Sequence, residues 1–360
     1  MTSCWYPEGT FPEFADYEIE TLWPNRVGVL RRDPRRALPF LASTFENHSV
    51  DDADVVICSS SGWAHRVQSP APKIVYCYNP ARWLYQPHDY LARVPPWVRN
   101  RFVASTRSLR SSDLEAAQDA HSYLVTSTVV ANRVRAAYGI EPAIVPPARG
   151  LSPEGPMTPV RGIRPGFLLT IARPRAYKHT DVVCEAMALL PRERLVVVGG
   201  DASTDAWPLN VHRLSQLSDA QLRWLYANAA AVVAMANEDF GLTLPEAQGF
   251  GLPAVALRGG GYLDTTVDEL TGIFVDEASP TQIAAGVARM REHAWEPGVI
   301  RRAGEYYSPA AFAARMHAVV AATLSADSVT PIASRRGTGR TRRERPQGRP
   351  GSSPASSMIG

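Results

Sequence analysis

The feature that most constrains this chain is a series of short, unbroken apolar runs that end at glycine or polar residues. They are Asp54–Cys58, Lys73–Tyr78, Ser122–Val125, Phe167–Ile171, Arg194–Val198, Ala231–Met235, Pro253–Leu257 and Gly272–Val275. Alternating runs suit a half-solvated sheet, whereas continuous ones suit parallel strands covered on both faces. Helical spacing lies between some of them, as in Val183, Ala186, Met187 and Leu190 after Thr180. The expectation is an α/β chain whose ligands sit at the C-terminal strand ends, the usual crevice of open parallel sheets. At 360 residues there is room for two domains. The Pro- and Gly-rich run Pro142–Pro165 reads as the connection. The expected boundaries are 1–148 for the first domain, 149–165 for the linker and 166–308 for the second domain. A final helix then spans 309–324 and a tail 325–360.

The most informative stretch follows Ala231–Met235: Glu238-Asp-Phe-Gly-Leu-Thr-Leu-Pro-Glu246, then the strand Pro253–Leu257 and a glycine turn. A carboxylate directly after a buried strand is costly unless something pairs with it, which marks Glu238. Glu246 has two readings. Thr243-Leu-Pro-Glu246 fits a capping box with Pro245 near the first helical position. Alternatively, two carboxylates bracketing a helix N-terminus suit a polyhydroxyl ligand attached to a phosphate. The carboxylates accept from hydroxyls and backbone N–H groups hold the anion. Other strand ends would line the same crevice, although Ser59–Ser61 reads equally as a helix cap and Asn79-Pro80 as a turn.

These residues resemble the E-x7-E signature of retaining family 4 glycosyltransferases. The E-D-F-G form, with Gly259-Gly-Gly-Tyr-Leu-Asp264, is similar to the branch containing bacterial mannosyltransferases. The resemblance runs from about Pro7 to Leu324 and is strongest after Phe167. It implies the GT-B architecture, two Rossmann-like domains facing across a cleft. The implied reaction moves a sugar with retention from a nucleotide-sugar donor, GDP-mannose in that branch, to a glycan or lipid-linked acceptor. By this resemblance Glu238 is the catalytic carboxylate that holds sugar hydroxyls and Glu246 holds the ribose. Arg173, Lys178 and the backbone of Phe240, Gly241 and Leu242 hold the diphosphate, and Asp239 belongs to the same donor side. Lysine occurs only at positions 73 and 178, against 36 arginines, which singles out Lys178. Its compact ammonium suits a phosphate. Tyr76–Tyr85 resembles the first-domain loop that faces sugar and acceptor, placing Tyr78, Asn79 and Arg82 there. The family commonly has His where this chain has Tyr78, and Tyr does not share a proton near neutral pH. Neither metal nor cofactor is implied, since two cations and a helix N-terminus neutralise the departing diphosphate.

Composition bounds the rest. Hydrophobic content of 45% and charged content of 20% are ordinary for a globular chain. No apolar run approaches the roughly 18–20 residues of a membrane span, and the N-terminus does not resemble a signal peptide. Four scattered cysteines without a C-x-x-C pair argue against a zinc site and suit a reducing cytoplasm. Residues 331–360 hold seven Arg and one Glu, so +6 of the +3 total lies there and the remainder is near −3. That tail has almost nothing to bury and reads as disordered. With no aromatic interleaved to stack on bases, nucleic acid is not expected. Contact with an anionic membrane is the alternative to a solvated tail, so the location is cytoplasmic or at the inner face of the membrane.

The family begins with a strand, a Gly-Gly loop and a helix, whereas Met1–Phe14 looks like the segment that normally follows. The resemblance therefore implies an incomplete first domain, short of one βα unit of about 30 residues. It leaves open the activity of the chain as given. Two rivals share the architecture. A nucleotide-sugar epimerase would need base residues in the cleft, and a donor-binding pseudo-enzyme would lack turnover.

Overall fold

The computed structural model describes residues 1–3, 12–32, 34–87, 97, 106–172, 179–199 and 207–327. Arg173, Lys178 and the tail from 328 onward lie outside the described residues.

Two parallel sheets dominate. The first contains β3 (Val56–Ser60), β4 (Lys73–Cys77), β5 (Ser122–Val125) and β6 (Ala143–Ile144), in the order β3-β4-β5-β6. The second contains β7 (Phe167–Ala172), β8 (Leu195–Gly199), β9 (Val211–Leu214), β10 (Ala229–Ala234), β11 (Ala254–Leu257) and β12 (Gly272–Val275). Its order is β12-β11-β10-β7-β8-β9. Apart from these, β1 (Thr2–Ser3) pairs in parallel with β2 (Glu20–Thr21). The helices, in chain order, are α1 (Gly28–Arg32), α2 (Leu38–Glu46), α3 (Arg82–Tyr85), α4 (Arg107–Gln118), α5 (Thr128–Tyr138) and α6 (Thr180–Ala186). They continue with α7 (Asp219–Asn228), α8 (Thr243–Gly249), α9 (Tyr262–Thr265), α10 (Pro280–Glu292), α11 (Pro297–Glu305) and α12 (Pro309–Asp327).

The unbroken apolar runs have a direct cause. Successive strand residues point to opposite faces, and the second sheet has a core on each. Phe167, Leu169, Val196, Val232, Ala254 and Phe274 join one core, with Leu225, Tyr226, Leu244 and Ala247 from α7 and α8. Leu168, Leu195, Val197, Val233, Val255 and Ile273 join the other, under α6 and α10. The first sheet is built alike. Val75, Cys77, Tyr123 and Val125 pack on Val130, Ala131 and Val134 of α5. On the opposite face Ile74, Tyr76, Leu124 and Val145 meet Phe312, Met316, Val319 and Val320 of α12. The last helix thus leaves the second domain and closes the core of the first. Each large side chain fully buried in this way contributes about 1.5–3 kcal/mol.

Local expectations needed correction in four places. Ser59 and Ser60 are β3 residues, so this segment is no helix cap; Ser60 instead accepts from the Gly62 N–H at 3.2 Å. Ala143 and Ile144, inside the Pro- and Gly-rich run, pair with β5. Thr243 already lies within α8, whose N-cap, Leu242, makes no side-chain cap, so the capping box at Thr243–Glu246 does not form. The last helix continues to Asp327, beyond the expected end at Leu324. By contrast the box at Ser218–Gln221 is complete at the start of α7. No helix among the described residues is long and apolar enough to cross a membrane.

Candidate functional site

Strand β10 ends at Ala234 and the chain continues through Met235–Leu242 into α8. This loop is packed on the glycine turn that follows β11. The Gly261 N–H donates to the Glu238 carbonyl at 2.8 Å. A Cβ on Gly261 would overlap the Phe240 backbone, and one on Gly241, whose φ is +85°, would collide with the Tyr262 ring. E-D-F-G and Gly259-Gly-Gly-Tyr are therefore two halves of one unit, and side chains at either glycine would push them apart. Phe240 points inward, its ring 5.8 Å from Tyr307 in an edge contact. It anchors the loop, leaving its backbone rather than its ring for any ligand. Glu238 sits half-buried at the strand end and Leu242 is exposed.

Asp239 differs from expectation. Its carboxylate faces the first domain, where Asn79 Nδ2 donates to it at 2.8 Å and both Arg82 and Arg133 pair with it. The Ser127 hydroxyl donates to the Asp239 carbonyl, and Asp264 accepts from the Thr128 N–H and hydroxyl, both at 2.7 Å. Two second-domain carboxylates thus grip the loop after β4 and the N-terminus of α5, where an anion is favoured. Burial pushes the Asp239 carboxyl up. The hydrogen bonds from Arg133 and Asn79 and the charges of Arg82 and Arg133 outweigh it and hold the group below the usual aspartate range. Asn79 and Arg82, expected on the acceptor side, are here partners of a residue expected on the donor side. Tyr78 is exposed nearby, its hydroxyl accepting from Ser59 at 3.4 Å. Arg133, Ser127, Thr128 and Asp264 escaped the sequence reading as site residues.

Glu246 points back toward the linker. It accepts from the Tyr226 hydroxyl at 2.8 Å, and Gly150 packs against its other oxygen. Tyr226 is fully buried, and burial followed by the neighbouring Glu246 charge raises its phenol well above the ordinary value. Between the ends of β7 and β10 lies a cavity lined by Thr170, Met235, Ala236, Thr243 and Tyr262, with about 10 Å³ of space, room for one water. The chain leaves β7 at Ala172, and Arg173 and Lys178 follow outside the described residues. Among the described residues no cluster of His, Cys, Asp and Glu could hold a metal.

A second polar constellation lies in the first domain. Ser60 Oγ is 3.4 Å from His65 Nδ1, and His65 Nε2 is 3.0 Å from Asp113 Oδ1. Asp113 Oδ2 also accepts from Tyr85 at 2.9 Å and Tyr138 at 3.0 Å. The residue types match a nucleophile, base and orienter. Yet all three side chains are at most 1% exposed, so no substrate reaches the hydroxyl. The network is a brace joining β3, α3, α4 and α5.

Comparison with known proteins places this geometry. Residues 162–297 match the model of the family described as Glycosyl transferases group 1. Across the chain, a sucrose-phosphate synthase from Thermosynechococcus elongatus superposes with a TM-score of 0.63. It covers 86% of this chain and 84% of that one, at 18% identity. Alr3699/HepE of Anabaena, solved with UDP and glucose, gives a TM-score of 0.57 over 84% of this chain and 85% of that one, at 13% identity. The fold is GT-B. By sequence the chain is similar to a D-inositol 3-phosphate glycosyltransferase from Thermomonospora curvata, 32% identical over 149 residues, 35% of each chain. A Catenulispora acidiphila relative of the same description is 35% identical over 144 residues, 34% of each. The chain thus matches about a third of the length of these relatives. The matched family region contains the Glu238–Glu246 loop and the Gly259–Gly261 turn, and with them the C-terminal crevice of the second sheet.

Proposed function

We propose that this chain is a glycosyltransferase that moves a sugar from a nucleotide-sugar donor to a glycan or lipid-linked acceptor. The observation that carries the reading is the loop Glu238–Glu246, fixed on its glycine turn at the C-terminal end of β10, inside the segment matching the group 1 family. In this reading the donor lies against the second domain. Glu246 accepts from the ribose hydroxyls, and the backbone of Phe240, Gly241 and Leu242 with Arg173 and Lys178 holds the diphosphate. Glu238 accepts from hydroxyls of the sugar. Preset donors around the departing diphosphate would meet the charge that grows on it in the transition state. The finer reading is retention at the anomeric carbon with mannose, from GDP-mannose, as the sugar. Retention rests on the resemblance of Glu238–Glu246 to the E-x7-E signature, and mannose on the E-D-F-G form with Gly259-Gly-Gly-Tyr-Leu-Asp264.

In this reading the contacts of Asp239 and Asp264 with the first domain clasp the cleft beside the donor. The clasp then defines a closed state, and Asn79 and Arg82 become available to sugar or acceptor when it opens.

Product analysis with labelled GDP-mannose and UDP-glucose tests the reading, using a glycan and a lipid-linked acceptor. Label in an acceptor, with the donor's anomeric configuration kept, is the expected result. Epimerised donor or binding without turnover would replace the reading with one of its rivals.

A further inference from the structure

Glu246 in the first turn of α8 and Phe250 at its C-cap together hold one residue of α7. The ring of Tyr226 stacks on that of Phe250, with centroids 5.3 Å apart and planes at 11°, while its hydroxyl donates to Glu246 Oε2 at 2.8 Å. Tyr226 is 1% exposed and shares its core with Leu225, Leu244 and Ala247. A phenol enclosed in this way cannot turn to water, so its hydroxyl is costly unless an acceptor meets it. Burial raises its pKa well above the ordinary value, which keeps it a donor near neutral pH. The other carboxylate oxygen, Oε1, lies toward the linker. A Cβ on the exposed Gly150 would sit 3.0 Å from it. The linker is itself fixed there, because the Arg149 N–H donates to the Tyr307 carbonyl at 2.8 Å and Arg149 Nη1 to the Gly304 carbonyl at 2.9 Å.

We propose that Tyr226 is a positioning residue of the donor site, one that fixes the Glu246 carboxylate so that Oε1 is presented to the ribose of the nucleotide. The role rests on the donor-site reading of Glu246 given above. The last torsion of a glutamate is broad, and ordering a long side chain around a ligand costs entropy. The bond to Tyr226 sets the plane of the carboxylate before any donor arrives, so less ordering is left for the binding step. An ionised carboxylate only accepts, and the oxygen presented in this way therefore selects for hydroxyl groups. A site built to accept from a hydroxyl discriminates against the analogue that lacks it. Tyr226 is too deeply buried to touch a ligand. Its effect should then appear in the discrimination between ribose and a sugar without the hydroxyls, and not in the hold on base or diphosphate.

Calorimetric titration of the full chain with GDP, UDP and their dideoxy counterparts, which lack both ribose hydroxyls, tests the proposal. The ratio of dissociation constants, dideoxy over ribose form, reads the ribose contact. In the wild type the base that binds should give a ratio of about tenfold or more, the scale of a hydrogen bond to a charged group. Tyr226→Phe should lower that ratio about three- to tenfold, the scale of one neutral hydrogen bond, while the dideoxy form binds as before. Gly150→Ala sets a methyl group against Oε1, leaves the core around Tyr226 intact and should lower the ratio as well. A loosened core would instead weaken both forms alike. Glu246→Gln, which keeps an acceptor for Tyr226, tests the reading beneath the proposal. If Glu246→Gln lowers the ratio but Tyr226→Phe leaves it unchanged or weakens both forms equally, the positioning role is overturned and the donor reading stands. An unchanged ratio in Gly150→Ala would overturn the placing of Oε1 against the ribose. A ratio near one in the wild type, or one unchanged in Glu246→Gln, would remove Glu246 from the ribose and the proposal with it.

Discussion

Glu246 links stability to the proposed donor site, because the hydroxyl it accepts belongs to the fully buried Tyr226. Glu246→Ala leaves that hydroxyl unpaired, a loss of about 1–3 kcal/mol. For a domain of this size each kcal/mol lowers Tm by about 2–4 °C, so a calorimetric scan should show a drop of several degrees. Glu246→Gln restores an acceptor and should recover most of it; equal losses in both variants would mean that Tyr226 is satisfied elsewhere. Gly261→Ala places a methyl group against the Phe240 backbone, an overpacking expected to cost about 1–3 kcal/mol. Urea unfolding reads that loss directly, and an unchanged midpoint would show that the turn can yield. Both glutamates and the glycines were legible in the sequence because they sit within one short segment. The partners of Asp239 were not, since Asn79, Arg82 and Arg133 lie more than a hundred residues away and only the folded chain brings them together.

Among the elements, the strands were the most legible, because burial on two faces makes a run apolar at every position. Helix α4 was missed for the opposite reason. Its buried positions are Asp113 and Ala117, and Asp113 is held by Tyr85, Tyr138 and His65 rather than by apolar packing, so no hydrophobic stripe announces it. Helix α11 was missed because it opens with Pro-Gly and buries only Ile300 and Gly304. Gly304 lies so close to the backbone of Gln248 and Gly249 that a Cβ would not fit. Helix α12 joins the domains. A chain ending at Ser308 uncovers Ile74, Tyr76, Leu124 and Val145, and should aggregate or unfold at room temperature. A chain ending at Asp327 loses only the Ser-, Pro-, Gly- and Arg-rich tail, whose composition cannot repay the entropy of ordering. It should melt within about 1 °C of the full-length protein by scanning calorimetry, a shift well under that of 1 kcal/mol. A larger drop would show that the tail packs on the folded part.

At the scale of the whole molecule, the Asp239 and Asp264 contacts join the two domains across the cleft. Asp239→Asn removes the charge that Arg82 and Arg133 share, a loss of about 2–3 kcal/mol for a partly buried charged cluster. Small-angle scattering at neutral pH should then give a larger radius of gyration than the wild type; identical curves would show that other contacts hold the cleft. Because the folded Asp239 carboxyl is held below its ordinary value, its contribution to closure is fully present above about pH 3.9. It fades only as pH falls through the lower folded value. The most direct test of the donor site is a calorimetric titration of GDP-mannose, with UDP-glucose as a second donor, into the wild type and Lys178→Ala. A donor that binds the wild type and binds the variant more weakly by about 1.5–3 kcal/mol, the range for hydrogen bonds to charged groups, is the predicted result. Equal affinity for both chains, or no binding of either donor to the wild type, would contradict it.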